Sequence, residues 1–278
     1  IDGMRRVPAH SLVLAAACAF GALFMLSCYE IVVVRYVKHH VGSWRAMITA
    51  LISFPIGHAV NQAMLSGGAL RYRMYTPMGF TAMEVGATAL LANLPYGLGF
   101  TLLLDIALVT SSKALAPLFH VSSTLIFVLG CIGLAKDIGY IVLIRVRKAP
   151  IRLGGWSVNL PPMWLTLLQF VVGIADVVLV SSVLYLLLPP SADIAYLPFL
   201  AVYLSSVLVG VLSHVPAGLG VIESMLLLLL PDVPPADLLA SVLLYRVIYE
   251  VLPLLFSLTL WGGYELIAAD GARMRLTN

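Results

Sequence analysis

The run MWLTLLQFVVGIADVVLVSSVLYLLL, residues 163–188, decides the fold class, because its 26 residues contain a single charged side chain, Asp176. A helix rises about 1.5 Å per residue and the hydrocarbon core of a bilayer is about 30 Å thick, so about 20 apolar residues cross it. Helices of soluble domains keep a polar face that this run lacks. The segment is therefore predicted to be a transmembrane helix.

Four more runs of the same character recur along the chain. Only 10% of the 278 residues are charged, against about 25% in soluble domains. We therefore predict an all-α integral membrane protein, a polytopic helix bundle forming one transmembrane domain over residues 1–278 with no soluble domain. The additional predicted spans are Leu12–Val34, Thr81–Val109, Phe119–Ile144 and Leu238–Tyr264.

Basic residues predict the orientation of these helices. Loops 35–45 and 145–152 and the C-terminal end are rich in Arg and Lys, whereas loops 189–195 and 231–237 carry only aspartates as charged residues. Because cytoplasmic loops are enriched in Lys and Arg, we place the first group inside. The two segments between neighbouring spans, 46–80 and 196–230, then begin and end on one side of the membrane. Each is predicted to be a re-entrant helical hairpin, bent near 66–68 and 216–220.

The order helix, hairpin, helix thus occurs twice with opposite orientation, over units of about 12–109 and 119–264. Pro95 and Pro253 are predicted to interrupt the helix that follows each hairpin. Such an inverted repeat is typical of transporters, whose broken helices place binding sites near the midplane. The symmetry also predicts a further helix before the first unit. The alternative is that segment 46–62 is a plain span and the symmetry is accidental.

Ionisable residues inside the apolar runs are candidates for function, since a charge at bilayer depth costs at least ~2.5 kcal/mol and tends to pair or to line a cavity. Arg246 and Glu250, one helical turn apart, are predicted to pair. Lys136 and Asp137 are adjacent and are predicted not to pair, one of them reaching a partner helix. The full set is Glu30, Arg71, Arg73, Glu84, Asp105, Lys136, Asp137, Asp176, Glu223, Arg246 and Glu250.

The first motif, NQAMLSGGALRYRMY, covers residues 61–75. Gly67 and Gly68 are predicted to free the backbone, whose N–H groups can then face an anion at a helix start. Arg71 and Arg73 add guanidinium groups suited to bidentate phosphate binding. The motif therefore predicts a site for a lipid phosphate. The alternative is a cytoplasmic loop whose arginines only follow the positive-inside rule.

The second motif, SHVPAGLGVIES, covers residues 213–224. Pro216, Gly218 and Gly220 are predicted to end one half-helix and to start another. Glu223 lies in the first turn of the second half-helix, where it is predicted to bind a headgroup amine or to carry a proton. The alternative is a structural carboxylate stabilised by the helix dipole.

His58 and Asn61 are predicted to form interhelical hydrogen bonds, and His214 is predicted to be a hydrogen-bonded structural histidine. Signatures of soluble enzymes are missing from the sequence, among them the P-loop, HExxH and GxSxG, and its histidines lack metal-ligand spacing. We therefore predict no catalytic residue, no metal, no cofactor and no nucleic-acid partner. The supporting residues are His58, Asn61, His214, Arg246 and Glu250.

Taken together, the two motifs resemble the membrane domain of the lysylphosphatidylglycerol synthetase/flippase proteins, the multiple peptide resistance factors. The resemblance extends over about residues 12–264. It implies a multi-pass protein of the bacterial inner membrane that moves aminoacylated phosphatidylglycerol between leaflets and confers resistance to cationic antimicrobial peptides. The matching positions are Gly67, Gly68, Arg71 and Arg73 in the first motif and Pro216, Gly218, Gly220 and Glu223 in the second; Ala217 stands where a glycine is common.

The resemblance leaves two other functions open. Members of the family are often fused to an aminoacyltransferase domain, and only 14 residues follow Tyr264 here, so this chain is expected not to be the enzyme itself. It is then either a flippase or the half of a phosphatidylglycerol lysyltransferase that recruits the lipid. A transporter of small solutes or ions with the same repeat is the third reading. The expected partners are phosphatidylglycerol or its aminoacyl derivative, an aminoacyltransferase domain and a second copy of the chain.

Overall fold

The computed structural model describes residues 8–37, 41–59, 63–147, 151–153, 156–158 and 160–276. A π-helical turn, Val247–Val251, joins the last two helices, and two strands, β1 (Ile151–Leu153) and β2 (Trp156–Val158), form a short antiparallel hairpin. The helices are α1 (Ala9–Val37), α2 (Ser43–Ala59), α3 (Ala63–Tyr75), α4 (Ala82–Phe119), α5 (Ser123–Val146), α6 (Met163–Leu187), α7 (Tyr196–Leu212), α8 (Val221–Leu229), α9 (Pro235–Arg246) and α10 (Leu252–Leu276).

Within the described residues, five helices are long and apolar enough to cross a membrane: α1, α4, α5, α6 and the continuous stretch Pro235–Ile267 formed by α9 and α10. Each corresponds to one of the five predicted spans. The prediction of an all-α polytopic membrane bundle is therefore confirmed, with the small hairpin β1–β2 in the basic loop as an addition that the sequence did not indicate.

Polar side chains define where two of the spanning helices begin. The Thr81 hydroxyl accepts the Glu84 backbone N–H at 3.2 Å, and the Glu84 carboxylate accepts the Thr81 N–H at 2.7 Å, which makes a capping box at the start of α4. The Ser122 hydroxyl accepts the Leu125 N–H at 3.2 Å at the start of α5. Glu84 thus serves to cap a helix.

Two pairs of short helices separate the long ones. Helix α3 has 13 residues and α8 has 9, so at 1.5 Å per residue they are about 20 Å and about 14 Å long, too short to cross a 30 Å core. Each packs on the helix before it, α3 on α2 and α8 on α7. These lengths suit the predicted re-entrant hairpins, whose depth in the membrane stays a prediction.

The first hairpin differs from the prediction in the position of its bend. Helix α2 ends at Ala59 and α3 begins at Ala63, and α3 then runs without a break through Gly67 and Gly68. A Cβ atom at Gly67 would lie only 3.1 Å from the Ser53 carbonyl oxygen of α2. Gly67 therefore lets two helices pack closely, and the expectation that it bends the chain is wrong.

The second hairpin turns through residues with left-handed backbone. Pro216–Gly218 form a short 3-10 turn, and φ is +52° at Ala217, +59° at Gly218 and +78° at Gly220. Glycine adopts such angles without a steric cost, whereas Ala217 does not. Helix α8 then starts at Val221, so this pair of helices is connected by eight residues of tight, irregular chain.

The centre of the bundle is the crossing of α4 and α6. A Cβ atom at Gly99 would overlap the backbone of Gly173, and one at Gly173 would overlap the Pro95 carbonyl oxygen, so the two helices approach with no side chain between them. Helix α4 continues through Pro95, contrary to the predicted interruption, while the π turn before Pro253 does disturb the corresponding helix. Helix α5 lies at the periphery against α4.

Candidate functional site

A central cavity of about 330 Å³ lies among the helices of both halves. Its wall is contributed by α1, α2, α4, α6, α7, α8 and the α9–α10 helix, together with the Ala217–Gly218 turn. Most of the lining side chains are small or aliphatic, and four of the other nine are tyrosines. Two of the lining residues are acidic, Asp176 and Glu250, and none is Arg or Lys. This cavity is the candidate functional site.

Tyrosines form a connected group on one wall of the cavity. The Tyr203 and Tyr245 hydroxyls lie 2.8 Å apart and share a hydrogen bond, and the Tyr245 ring stacks on Tyr249 with centroids 5.5 Å apart. Tyr249 meets the edge of His58 at 5.6 Å. Helix α2 thus brings His58, predicted as a supporting residue, to the same wall, and Tyr96 of α4 completes the aromatic lining.

Asp176 is the most buried charge on this wall. Its side chain lies on α6 with 2% of the residue exposed, and its Oδ1 atom has no hydrogen-bond partner within the described part of the chain. Tyr96 and Tyr249 line the cavity together with Asp176. An uncompensated carboxylate at this depth is costly, so its presence requires a ligand or a proton.

The first motif supplies a buried ion pair close to the cavity. Arg71 Nε donates to Glu30 Oε1 at 2.8 Å and Arg71 Nη2 donates to Glu30 Oε2 at 2.9 Å, while the Tyr75 hydroxyl donates to Oε1 at 3.0 Å. Neither Arg71 nor Glu30 is exposed. The guanidinium stacks 4.7 Å from the ring centroid of Phe54, which lines the cavity. A phosphate could reach Arg71 only by replacing Glu30.

Arg73, the other arginine of the first motif, points elsewhere. Its guanidinium makes two bonds of 2.6 Å to the carboxylate of Glu265 on α10, and its side chain is 62% exposed. Gly68 lies in α3 beside Ala89 of α4. The two arginines predicted to bind one phosphate therefore belong to different ion pairs, one buried and one exposed.

The charge of the second motif is also neutralised by a residue outside the motif. Here the motif supplies the acid, Glu223, and another helix supplies the arginine, Arg246. Glu223 Oε1 accepts from Arg246 Nε at 2.5 Å, and Glu223 Oε2 accepts the Gly220 N–H at 2.8 Å, which caps α8. Arg246 Nη1 contacts both Glu250 oxygens at 2.9 and 3.0 Å and donates to the Ala217 carbonyl at 3.0 Å. The predicted Arg246–Glu250 pair is confirmed, and Glu223 is a third member that the sequence did not reveal.

A separate charged cluster joins α5 to α4. Lys136 Nζ lies 3.4 Å from Asp105 Oδ2 on α4 and 3.2 Å from Asp137 Oδ1. Lys136 does reach a partner helix, as predicted, but the prediction that it does not pair with Asp137 is wrong. The long lysine side chain bends back to its neighbour although the two Cβ atoms point in different directions. Gly133 leaves room for the Asp105 carboxylate between the helices.

His214, a predicted supporting residue, does not line the cavity. His214 is exposed, has φ +57°, and shares a 2.8 Å hydrogen bond between its Nδ1 and the Leu212 carbonyl. Asn61 lies outside the described residues. Among the residues that the structure describes, no group of three His, Cys, Asp or Glu side chains comes close enough to hold a metal ion.

The tyrosines of the cavity were not predicted from the sequence, and Asp176 was predicted only as one of several acids within the apolar runs. Tyr245 and Tyr249 are four residues apart on one helical face, and that spacing could have indicated a shared wall. Tyr96 and Tyr203 come from other helices, and only the packing of the bundle brings them there.

The similarity of this chain to known proteins supports its assignment as a membrane protein. The chain is 26% identical over 274 residues to the inner membrane protein YbhN of Escherichia coli (strain K12), covering 96% of this chain and 83% of that relative. The chain is similar to an inner membrane protein. It is also 28% identical over 244 residues to an uncharacterized protein of Synechocystis sp., covering 87% of this chain and 76% of that relative. No protein-family model matches the sequence.

Together, the five spanning helices and this similarity identify a multi-pass membrane protein.

Proposed function

We propose that this protein is a phospholipid flippase whose central cavity receives the lipid headgroup. The observation that supports it most is the position of the cavity, which is lined by α2 of the first pair of short helices, by α7 and α8 of the second pair, and by long helices of both halves. Transporters built from broken helices bind their cargo in this kind of space. A volume of about 330 Å³ suits a polar headgroup, while the acyl chains stay in the lipid.

The lipid that we propose is an aminoacylated phosphatidylglycerol such as lysyl-phosphatidylglycerol, moved at the bacterial inner membrane. The resemblance of the two motifs supports this choice, and so does the acidic lining by Asp176 and Glu250, which attracts a cationic headgroup. Supply of this lipid to the outer leaflet lowers its negative charge, which protects the cell from cationic peptides.

The phosphate of this lipid is proposed to contact Arg73 before the headgroup enters. Arg73 is 62% exposed and bonded to Glu265, an exchangeable surface contact, whereas Arg71 is held by Glu30 in the interior. A solvated ion pair contributes little to stability, so a phosphate can displace Glu265 with little loss.

The experiment that tests the flippase measures headgroup accessibility in proteoliposomes that contain labelled lysyl-phosphatidylglycerol. We compare wild type with Val207→Trp, which places an indole on the cavity wall of α7, and with Val142→Trp, at a 52% exposed position on α5. Wild type and Val142→Trp are expected to accelerate exchange between leaflets, and Val207→Trp to slow it at least fivefold relative to wild type. Exchange no faster than in protein-free liposomes would refute the proposal.

A transporter of small organic cations is the second candidate, and the charge of the cavity wall favours it. Among the described residues, two acids and no Arg or Lys line a volume that would also hold a free amine. Uptake of radiolabelled lysine into the same proteoliposomes, without accelerated lipid exchange, would support this second function.

A further inference from the structure

The charges around the cavity do not balance. Arg246 faces two glutamates, Glu223 and Glu250, and Asp176 adds a third acid. Glu30 and Arg71 cancel each other behind Phe54. Within the described residues, the cavity and its immediate contacts therefore carry more negative than positive formal charge, and a positive group is the ligand that the site can compensate.

Asp176 is the acid that is left for such a group. Both Glu223 oxygens are engaged, one by Arg246 and the other by the Gly220 N–H, and both Glu250 oxygens contact Arg246. Asp176 forms no ion pair with any described residue, and its Oδ1 has no described hydrogen-bond partner although only 2% of the residue is exposed.

The surroundings of Asp176 provide hydrogen-bond acceptors as well as charge. Tyr96 and Tyr249 line the same cavity as Asp176. Asn93, one turn before Tyr96, donates its amide NH₂ to the Ala89 carbonyl at 2.7 Å, so its side-chain oxygen keeps its acceptor capacity. A primary ammonium group brings three N–H donors and no acceptor, and this set matches it. Tyrosine rings attract cations in addition.

We propose that Asp176 is the binding residue for an ammonium group of the transported molecule, with Tyr96, Tyr249 and Asn93 completing the site. This assignment rests on the proposed function, and it moves the amine from Glu223, where the sequence had placed it, to Asp176 on α6. The ammonium group belongs either to a lipid headgroup or to a free amine, and the two sources offer the same chemistry to the site.

The test measures binding to purified protein in detergent with three probes: dioctanoyl lysyl-phosphatidylglycerol, its Nα,Nε-diacetylated form, which carries no ammonium group, and lysine methyl ester. The variants are Asp176→Asn, Asp176→Glu and, as a matched control, Asp137→Asn, a buried acid (3% exposed) on α5 outside the cavity. Size-exclusion profiles and thermal unfolding midpoints establish that each variant is folded before its affinity is compared.

Wild type is expected to bind the lysyl lipid at least tenfold more tightly than the acetylated lipid. Asp176→Asn is expected to reduce that ratio to less than twofold, while Asp176→Glu and Asp137→Asn keep at least half of it. A ratio near one in wild type, or an unchanged ratio in Asp176→Asn, would overturn the assignment.

The probes also separate this inference from the flippase itself. Asp176-dependent binding of the lysyl lipid without accelerated lipid exchange would support the ammonium site and refute translocation. Binding of lysine methyl ester that exceeds binding of the lysyl lipid, and that Asp176→Asn abolishes, would support the site and assign it to a free amine. If Asp176→Asn does not fold, two other measurements decide the result. These are the affinity ratio of Asp176→Glu and the competition between the methyl ester and the lysyl lipid for wild-type protein. Absence of competition would count against the site.

Discussion

Replacing Glu30 by Gln should destabilise the protein strongly, because it leaves the Arg71 guanidinium buried without its counter-charge. Neither residue is exposed, and the carboxylate accepts three bonds of 2.8, 2.9 and 3.0 Å from Arg71 and Tyr75. Breaking one partner of a buried pair costs about 3–5 kcal/mol. We expect a loss of about 3–5 kcal/mol in the free energy of unfolding for Glu30→Gln.

The double variant Glu30→Met with Arg71→Met, measured beside the single variants Glu30→Met and Arg71→Met, completes a double-mutant cycle. Apolar residues of similar length remove both charges, and such replacements are neutral or even stabilising in other proteins. We therefore expect the double variant to recover at least about half of the loss, which gives a large coupling energy. The assay is unfolding by SDS titration in mixed micelles, followed by far-ultraviolet circular dichroism.

Arg73→Met serves as the matched control, since this arginine makes the same two-bond contact to a carboxylate but is 62% exposed. Its unfolding midpoint should not change measurably. The reasoning fails if Glu30→Gln unfolds within about 0.5 kcal/mol of wild type, or if the two single substitutions add up in the double variant. In that case Arg71 is not held by Glu30 and becomes available for phosphate.

Two further predictions concern the backbone. Gly99→Leu should lower stability by about 1–3 kcal/mol or more, because its side chain overlaps the Gly173 backbone; Gly97→Leu on the same helix, where a Cβ atom meets nothing within 4 Å, should leave the thermal unfolding midpoint close to wild type. Ala217→Gly should stabilise the protein by about 0.5–1 kcal/mol, because it removes a non-glycine residue at φ +52° while adding some freedom to the unfolded chain. Ala201→Gly in the buried interior of α7 should lower the midpoint, and a lower midpoint for Ala217→Gly would contradict the second prediction.

The spanning helices could be predicted from the sequence because their signal is local. A long run with a single charged residue, such as 163–188, predicts a membrane-spanning helix whatever the rest of the chain contains. Gly67 was misread for a related reason: a glycine that bends a chain and one that lets two helices touch look identical in sequence. Only the distance from its position to the Ser53 carbonyl distinguishes them.

Which charged residues pair with each other depends on contacts between distant parts of the chain. Most of these pairs could therefore not be predicted from the sequence. Arg246 and Glu250 lie one turn apart and could be paired in advance, whereas Glu30 and Arg71 are separated by 41 residues and belong to different helices. Lys136 was misjudged because the Cβ direction does not limit a flexible side chain as it limits a short one. Asp176 stands out because its buried Oδ1 has no hydrogen-bond partner among the described residues, and this cannot be deduced from a sequence.

The opposite order of the two hairpin ion pairs along the chain has a consequence for biosynthesis. Arg71 finds its counter-charge in Glu30, 41 residues earlier, in a helix that is synthesised before it. Glu223 pairs with Arg246, which is synthesised 23 residues later. The first hairpin can therefore enter the membrane against a finished partner, whereas the second must wait near the translocon until its arginine arrives. The half that is translated last thus sets the moment at which the whole bundle closes.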